Sequence, residues 1–446
     1  MKGIRTGVFL LALVSPGAFA RQVPVTIACT AELRAPLSAG PMPRLIARLQ
    51  HLREEERNLL LLDAGGWCAG SPLAALDPAL MPALVGQLHP DAMIPGRAEL
   101  SAGFRSLAST TGRAFPWTAA NLIPSASQDP PPFRILEIDG IRVLVAGLTD
   151  DQPALWCPPG ALAGVATLRA DEALRQIMPA VRAASAEIRV LVVHAPATPG
   201  GTLSNLARAF PDFDLYLGAC GDSAVRPPGP EGPMIARPDS GARSIVVAHL
   251  LYDTVRRSLI NRDVKVEPMR DFYPVDPAAA ALISASADLQ RARLDAPLGA
   301  DSLADVLENL RGTLKLDACL AAPPVPAAAP VTLADLHASL PLDRRIATLH
   351  VPATVLRDAL LNTDRTALLL VGLSLDESGK GGLRLRDGSA PIARRRLAIG
   401  IEESLLTSRG GVFPRIRELA SDPAARVEWS APLHQLLSPS PKKKSP

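Results

Sequence analysis

Five cysteines are the side chains whose type most directly suggests chemistry: Cys29, Cys68, Cys157, Cys220 and Cys319. Thiols of exported proteins usually pair as disulfides, whereas thiols of cytosolic proteins stay reduced, ligate metals or act in catalysis. Because the number is odd, the cysteines cannot all pair within one chain. The compartment in which the protein works therefore decides which thiol chemistry to expect.

The N-terminus has the pattern of a secretory signal. Two basic residues precede an apolar run at 8–14, and residues 18–20 are small or apolar at the positions where a signal is cleaved. The following residue is Arg21 rather than a cysteine, so a lipid anchor is not indicated, and no other stretch approaches the length of a transmembrane helix. We expect cleavage near Ala20 and a periplasmic or secreted protein, in which one or two disulfides form.

Length and composition exclude several classes of protein. A chain of 446 residues is too long for one ordinary core, and a hydrophobic fraction of 48% rules out wholesale disorder. The net charge of +3 is matched by three lysines at 442–444, which leaves no electrostatic footprint for nucleic acid. The sequence contains no G-x-S-x-G elbow, no P-loop and no Rossmann fingerprint.

The elements that position these side chains alternate between short β-runs and amphipathic helices. The dipeptide Asp139-Gly140 predicts a hairpin between strands 133–138 and 141–146. The all-leucine run at 59–62 is typical of a central strand covered on both faces, and His194 ends another buried strand. Further predicted strands cover 25–29, 92–94, 215–217, 244–251 and 259–266, and predicted helices cover 41–56, 171–184 and 278–293.

The order and spacing of several short motifs carry a resemblance to a known family. Residues 59–73 read LLLLDAGGWCAGSPL, which resembles an LLDAGD…GSPL segment, and residues 91–99 resemble a D-A-M-x-x-GNHE segment. Residues 141–149 end in a G-L-T turn, and residues 408–413 are similar to a GGDG-aromatic loop. Together they resemble the exported 5'-nucleotidase family, whose catalytic half is a calcineurin-like metallophosphoesterase.

The resemblance implies an α/β fold: a layered metallophosphoesterase-like domain and a second, smaller α/β domain like the 5'-nucleotidase C-terminal domain. The expected division is a signal peptide at 1–20, the first domain at 21–272, a connecting helix at 273–294, the second domain at 295–436 and a disordered tail at 437–446. It also implies a site with two metal ions, which would activate a water and clamp the phosphoryl oxygens.

The first half of that metal site does not carry over to this sequence. The family's first aspartate corresponds to Glu32, and its partner histidine corresponds to Arg34, a permanent cation that cannot ligate a metal. The aspartate that bridges both metals corresponds to Gly66. We therefore expect the bridging carboxylate to be missing.

The second half is equally altered. The asparagine and histidine of the NHE motif correspond to Arg97 and Ala98, and only Glu99 of that triplet remains. The next histidine is kept as His194, whereas the GHSH motif reads Gly-Ala-Cys-Gly at 218–221. Glu32 and His194 are thus remnants of a ligand set from which a binuclear site cannot be assembled.

Several interpretations of these residues stay open. The arginines Arg34 and Arg97 either pair with Glu32 and Glu99, replacing the metals, or form an anion-binding cleft. A mononuclear site from His194, Cys220 and Glu32 is a third alternative. The cysteines that follow strands at this face are candidates for disulfides: Cys29, Cys68, Cys157 and Cys220. In the second domain, Phe413 is a remnant of the family's base-stacking pair, and Cys319 is expected to be a buried thiol.

The sequence therefore predicts a 5'-nucleotidase-like pseudoenzyme that binds a ligand or an envelope protein without hydrolysis. One alternative is a residual phosphoric monoester hydrolase that acts on nucleotides with an altered ligand set, and another is a structural envelope scaffold. No cofactor is expected, and a divalent metal is expected only for the hydrolase. No nucleic-acid partner and no transmembrane anchor are expected.

Overall fold

The structure is a computed structural model, and it describes the following residues: 21–33, 40–67, 72–101, 103, 115–124, 130–151, 153, 157, 161–194, 202–219, 224–226, 233–321, 331–340, 345–362, 368–375, 383–385, 388–389, 396–402, 405–406, 419, 427–431 and 433–437. The predicted signal peptide and C-terminal tail from 438 lie outside these residues.

Strands in the described chain run as follows: β1 Gln22–Thr30, β2 Leu59–Asp63, β3 Ala92–Met93, β4 Leu122–Pro124, β5 Phe133–Ile138, β6 Ile141–Leu148, β7 Val165–Thr167, β8 Ile188–His194, β9 Leu215–Ala219, β10 Ala224–Arg226, β11 Ile235–Arg237, β12 Ser244–Asp253, β13 Ser258–Pro268, β14 Ala318–Ala321, β15 Ile346–Pro352, β16 Leu369–Val371, β17 Leu373–Leu375, β18 Leu383–Leu385, β19 Arg396–Glu402 and β20 Val427–Trp429.

Helices in the described chain run as follows: α1 Pro41–Glu55, α2 Pro72–Leu76, α3 Leu80–Leu88, α4 Arg97–Ser101, α5 Ala170–Ala183, α6 Thr202–Ala209, α7 Pro277–Leu294, α8 Leu303–Thr313, α9 Leu333–Ser339, α10 Ala353–Leu361 and α11 Leu433–Leu436. The helices predicted at 41–56, 171–184 and 278–293 are confirmed as α1, α5 and α7 to within a residue or so at each end.

Two stacked sheets form the centre of the first half of the chain. One has the order β13-β12-β1-β2-β3, and the other has the order β10-β11-β9-β8-β6-β5. Strands β1, β2 and β3 are parallel, as are β6, β8 and β9. The predicted hairpin is confirmed, with β5 and β6 pairing from Phe133↔Ala146 to Ile138↔Ile141.

The core lies in three apolar layers around these sheets. Side chains such as Ile27 from β1 and Val190 from β8 share one buried cluster between the two sheets. The outer face of the first sheet packs against α1, α3 and α7, and the outer face of the second packs against α5 and α6. Burial on both faces explains why the strands read as continuous apolar runs.

A third sheet, with the order β16-β14-β19-β15-β20, organises the second half of the chain. Separate apolar clusters cover its two faces, one including α10 and the other including α8 and α9. Two of these helices start with capping residues, because Ser302 accepts from the Asp305 amide and Thr332 forms a capping box with Asp335. The fold is thus mixed α/β with more than one core, as predicted.

Helix α7 lies where the sequence predicts a connecting helix. Its N-terminal cap is Asp276, whose carboxylate accepts from the Ala279 amide at 2.7 Å, and Pro277 stands in the first turn. The helix contacts α1, α2, α3 and α9, and Ser286 donates to Asp77 at 2.6 Å. None of the described helices is both long and apolar enough to cross a membrane. The domain boundaries given above remain predictions.

Candidate functional site

The carboxyl ends of parallel strands from both stacked sheets meet at one edge. Strand β1 ends at Thr30 and β2 at Asp63, while β8 of the other sheet ends at His194. The imidazole Nδ1 of His194 lies 2.7 Å from the carbonyl oxygen of Ala64, which joins the ends of the two sheets. Ligands of open α/β sheets bind at such carboxyl edges, so this edge is the candidate site.

Glu32 enters the site from a strained loop after β1. Its φ is +49°, and its backbone is held by its amide donating to the Gly65 carbonyl at 2.8 Å and by its carbonyl accepting from Gly241 at 2.6 Å. Gly66 faces this side chain with a φ of +86°, and a Cβ atom there would lie 2.6 Å from Glu32 Oε1. The Glu32 carboxylate therefore fills the space that a side chain at position 66 would need.

Glu99 is fully buried and bonds to backbone amides. Its carboxylate accepts from the amides of Gly66 at 2.9 Å, Trp67 at 3.0 Å and Gly96 at 2.7 Å. Charge-assisted hydrogen bonds of this kind are stronger than neutral ones, and they offset the cost of burying the charge. Glu99 thus fastens the loop after β2 to the start of α4.

His194 is also fully buried, and its hydrogen bonds define its protonation. Nε2 accepts from the Arg97 amide at 3.2 Å, so the ring proton is assigned to Nδ1, which donates to Ala64. The same Nε2 lies 3.4 Å from Glu32 Oε1. Gly96 permits this approach, because a Cβ atom there would stand 2.6 Å from the His194 ring. His194 is therefore a neutral imidazole bonded to two loops.

Arg97 points its guanidinium at a carboxylate that the sequence did not single out. Its Nε and Nη2 both donate to Asp150 Oδ2, at 2.9 and 2.7 Å, and the Asp150 side chain is only 1% exposed. Asp150 directly follows the G-L-T turn at the end of β6, and a residue of this turn, Thr149, exchanges two hydrogen bonds with Asn121. The position of Asp150 after a buried strand was the one available signal for its role.

Asp63 is the other buried carboxylate of the edge. It accepts from Thr30 Oγ1 at 2.6 Å and from the Gly65 amide at 2.8 Å. Burial raises the pKa of Asp63 from its ordinary value to about 7, and the charge of Glu99 acts in the same direction. These hydrogen bonds oppose the rise. The Asp63 carboxyl thus titrates near neutral pH.

These side chains do not fit a binuclear metal site. Among the described residues, no group of three or more His, Cys, Asp or Glu side chains is arranged to hold a metal. Glu32 and His194 are brought together, but Glu99 is committed to three amides and position 66 supplies no oxygen. A site of two hard cations needs several carboxylate or imidazole donors around each ion. The donors described at this edge are therefore too few for two metals.

Two of the candidate disulfide cysteines, Cys29 and Cys157, carry thiols in this structure, so no disulfide is shown at either. Cys29 lies in the apolar layer between the stacked sheets, and burial raises its pKa. The Cys157 sulfur lies 3.8 Å from Ser101 Oγ in a separate buried cluster. Cys319 is a buried thiol as predicted, and burial raises its pKa to about 12.

Four of the predicted site residues fall outside the described part of the chain. They are Arg34, Cys68, Cys220 and Phe413. The cleft pairing of Arg34, the disulfide pairing of the two cysteines, the mononuclear alternative through Cys220 and the stacking role of Phe413 all stay predictions.

Known proteins resemble this chain in sequence over a short segment and in structure over most of its length. No family model matches the sequence. A segment of 137 residues, 29% of this chain, is 32% identical to the 5'-nucleotidase of Rattus norvegicus. That match spans only 24% of the rat protein, about a quarter of its length.

Solved structures match over almost the whole length. The 5'-nucleotidase precursor from Thermus thermophilus aligns with a TM-score of 0.69 and 15% identity, covering 93% of this chain and 95% of that one. The chain has the fold of the 5'-nucleotidases. The 5'-nucleotidase from Candida albicans agrees, with a TM-score of 0.59 and 14% identity over 93% of this chain and 97% of that one. In this 5'-nucleotidase-like chain, the edge that the resemblance assigns to two metals is occupied by carboxylate–amide and arginine–carboxylate contacts.

Proposed function

We propose that the chain is an exported, 5'-nucleotidase-like pseudoenzyme, which acts by binding a ligand or an envelope partner and does not hydrolyse nucleotides. The proposal combines the 5'-nucleotidase fold with a site edge whose donor set differs from that of a two-metal phosphoesterase. Two-metal hydrolysis needs a bridging carboxylate and open coordination positions for substrate oxygens. Neither is supplied by the residues described at this edge.

The observation that carries the proposal is the pairing of Glu32 with Gly66. A glycine stands at the position that the resemblance gives to the bridging aspartate, and its φ of +86° is one that other residues rarely adopt. The carboxylate of Glu32, one methylene longer than aspartate, reaches into the vacated volume. The two changes are complementary in size, so restoring a side chain at 66 alone would produce a clash.

The contacts of Arg97 bear on the kind of binding. The two hydrogen bonds to the buried Asp150 support a charge pair that holds the cleft together, and they argue against Arg97 as the anion-capturing group. A buried ion pair of this type is weak evidence for net stability, but removal of one partner is strongly destabilising because it leaves the other charge buried and uncompensated. The ligand or partner of the pseudoenzyme is therefore better sought on surfaces next to the edge.

A residual hydrolase is the second candidate, favoured by the proximity of Glu32 Oε1 and His194 Nε2 at 3.4 Å. A single divalent ion held by these two atoms would need His194 to exchange its bond from the Arg97 amide for the metal. Such an ion could polarise one phosphoryl oxygen, but two protein donors fall short of the three that catalytic zinc sites use.

Metal analysis and nucleotide hydrolysis separate the two candidates. We expect purified protein to hold no stoichiometric metal, and to show no 5'-nucleotide turnover with added manganese, cobalt or zinc. Stoichiometric metal together with turnover that His194→Ala abolishes would overturn the pseudoenzyme proposal. His51→Ala, which removes an exposed imidazole beside Glu55, is the matched control and should leave any turnover unchanged.

A further inference from the structure

A pair of arginines lies on a short hairpin at the edge of the second stacked sheet. Strand β10 pairs antiparallel with β11, and the register sets Arg237 opposite Ala224, two residues from Arg226. Because side chains alternate along a strand, both arginines project from the same face of the hairpin. Diagonal neighbours of this kind stand about 7–8 Å apart, within reach of one another's long side chains.

The face that carries them is the outer, helix-covered face of the sheet. Ile235, two residues before Arg237, packs into the apolar cluster that includes α5 and α6. The stem of Arg237 crosses Gly218, where a Cβ atom would lie 3.0 Å from Arg237 Cγ. Gly218 is paired with Val193, next to His194 in the sheet. Strand β9 alone therefore separates Arg237 on β11 from β8, the strand that ends at His194, and Arg226 on β10 lies one strand further out.

Both guanidiniums contain buried nitrogens that have no hydrogen-bond partner among the described residues. Arg226 has two such atoms, Nε and Nη2, and Arg237 has one, Nε. A buried donor that bonds neither to water nor to protein loses its hydration without compensation, and the loss is larger for a charged group. Both residues are partly exposed as a whole, so an ion can approach them from solvent. Two neighbouring cations with unsatisfied donors are the electrostatic complement of an anion.

We infer that Arg226 and Arg237 form a binding site for a tetrahedral oxyanion, phosphate or sulfate, either free or at the end of a larger molecule. Each planar guanidinium can offer two parallel N–H donors to such an ion, and the two positive charges match a dianion. The binding makes and breaks no covalent bond. The inference goes beyond the loss of hydrolysis proposed above, since an anion could bind to these arginines whether or not the protein hydrolyses nucleotides.

The test follows the thermal unfolding of the full chain, starting at Arg21, while inorganic phosphate or sulfate is titrated against chloride at constant ionic strength. We expect a saturable rise of the unfolding midpoint by about 2–4 °C with either oxyanion, as mass action predicts for a ligand of the folded state. Isothermal titration calorimetry with inorganic phosphate gives the stoichiometry, expected to be one.

Two substitutions test the assignment to these arginines. Arg226→Gln and Arg237→Gln should each weaken phosphate binding about tenfold or more, because each removes a charged donor pair. Arg256→Gln removes an exposed arginine in the turn between β12 and β13, and it should leave binding unchanged. Without phosphate, Arg226→Gln should unfold at the same temperature as wild type or higher, since it removes an unpaired buried charge.

The outcomes are distinct. Absence of a saturable shift with both oxyanions, or a shift that survives in both arginine variants, would overturn the site. A fall in the unfolding midpoint of Arg226→Gln without anion would identify a structural arginine and overturn it as well. Titration with a phosphorylated sugar distinguishes a free ion from a larger ligand. Tighter binding of the sugar phosphate than of inorganic phosphate would indicate a larger ligand. Nucleotide turnover is measured separately, so failure of this site leaves the pseudoenzyme proposal standing, and the reverse also holds.

Discussion

Replacement of Glu99 by alanine tests whether this inherited carboxylate now has a structural role. The change would leave three amides, those of Gly66, Trp67 and Gly96, without the acceptor that they bond at 2.7–3.0 Å. A hydrogen bond to a charged group contributes about 1.5–3 kcal/mol, and the three bonds share one side chain, so their contributions do not simply add. We expect Glu99→Ala to lower the free energy of unfolding by about 4 kcal/mol.

The conservative variant makes the prediction sharper. Glu99→Gln keeps the shape and one acceptor oxygen, but its amide nitrogen can accept no bond from the remaining amides. We expect a loss of about 2 kcal/mol, roughly half that of alanine. Glu172→Ala, which removes an exposed carboxylate in the first turn of α5, is the control and should change the free energy by less than about 0.5 kcal/mol.

Urea denaturation followed by circular dichroism measures these differences, and thermal unfolding checks them. A loss of about 4 kcal/mol corresponds to a midpoint lower by roughly 8–16 °C for a domain of about 150–250 residues. A Glu99→Ala protein within about 1 kcal/mol of wild type would refute the reasoning, because the amides would then have another acceptor. A larger loss from Gln than from Ala would refute it too.

Three further predictions concern the same edge. Gly66→Asp should destabilise the fold by about 3 kcal/mol, because the new side chain clashes with Glu32 and the backbone at φ +86° strains any residue other than glycine. Adding Glu32→Ala should recover part of that loss. Denaturation of the single and double variants measures the coupling, and strictly additive losses would contradict the prediction. Asp63, with its pKa raised by burial to about 7, holds a proton that the unfolded chain releases from about pH 4, so the free energy of unfolding should fall as pH rises from about 4 to 7. Asp63→Asn should flatten that fall in a pH series of urea titrations, and an unchanged slope would exclude Asp63 as its source. Arg97→Ala should lower the free energy of unfolding by about 3 kcal/mol, because it leaves Asp150 buried without the guanidinium that pairs with it. Arg175→Ala, in the exposed pair with Asp171, should lower it by less than about 1 kcal/mol. Equal losses in urea denaturation would contradict the argument from burial.

Local patterns predicted the elements well because local physics fixes them. The Asp139-Gly140 turn, the leucine run at 59–62 and the amphipathic face of α1 each predicted the observed element. Each depends on backbone preference or on apolar periodicity within about fifteen residues. No disulfide is seen at Cys29 or Cys157, and the sequence does not tell which layer of the fold a side chain enters.

The partners at the site could not be predicted, because they are distant in sequence. Arg97 bonds to Asp150, 53 residues away, and His194 contacts Ala64 across 130 residues. The Glu99 carboxylate bonds to amides, and amides carry no residue type that a sequence pattern could reveal. The proximity of Arg226 and Arg237 could not be predicted from the sequence either, since their position on a common face depends on the register of β10 with β11.

The sequence by itself determined the α/β class and the resemblance to 5'-nucleotidases, and from that resemblance it predicted that the metal-ligating residue types are replaced. Those properties depend on residue identity and short spacing, which a single chain displays directly. Only the tertiary structure decided what the replacements do: Glu32 fills the volume beside Gly66, and Glu99 bonds three amides. The reason is that volume, burial and hydrogen-bond satisfaction belong to groups brought together from separate strands, and no one segment of the chain contains them.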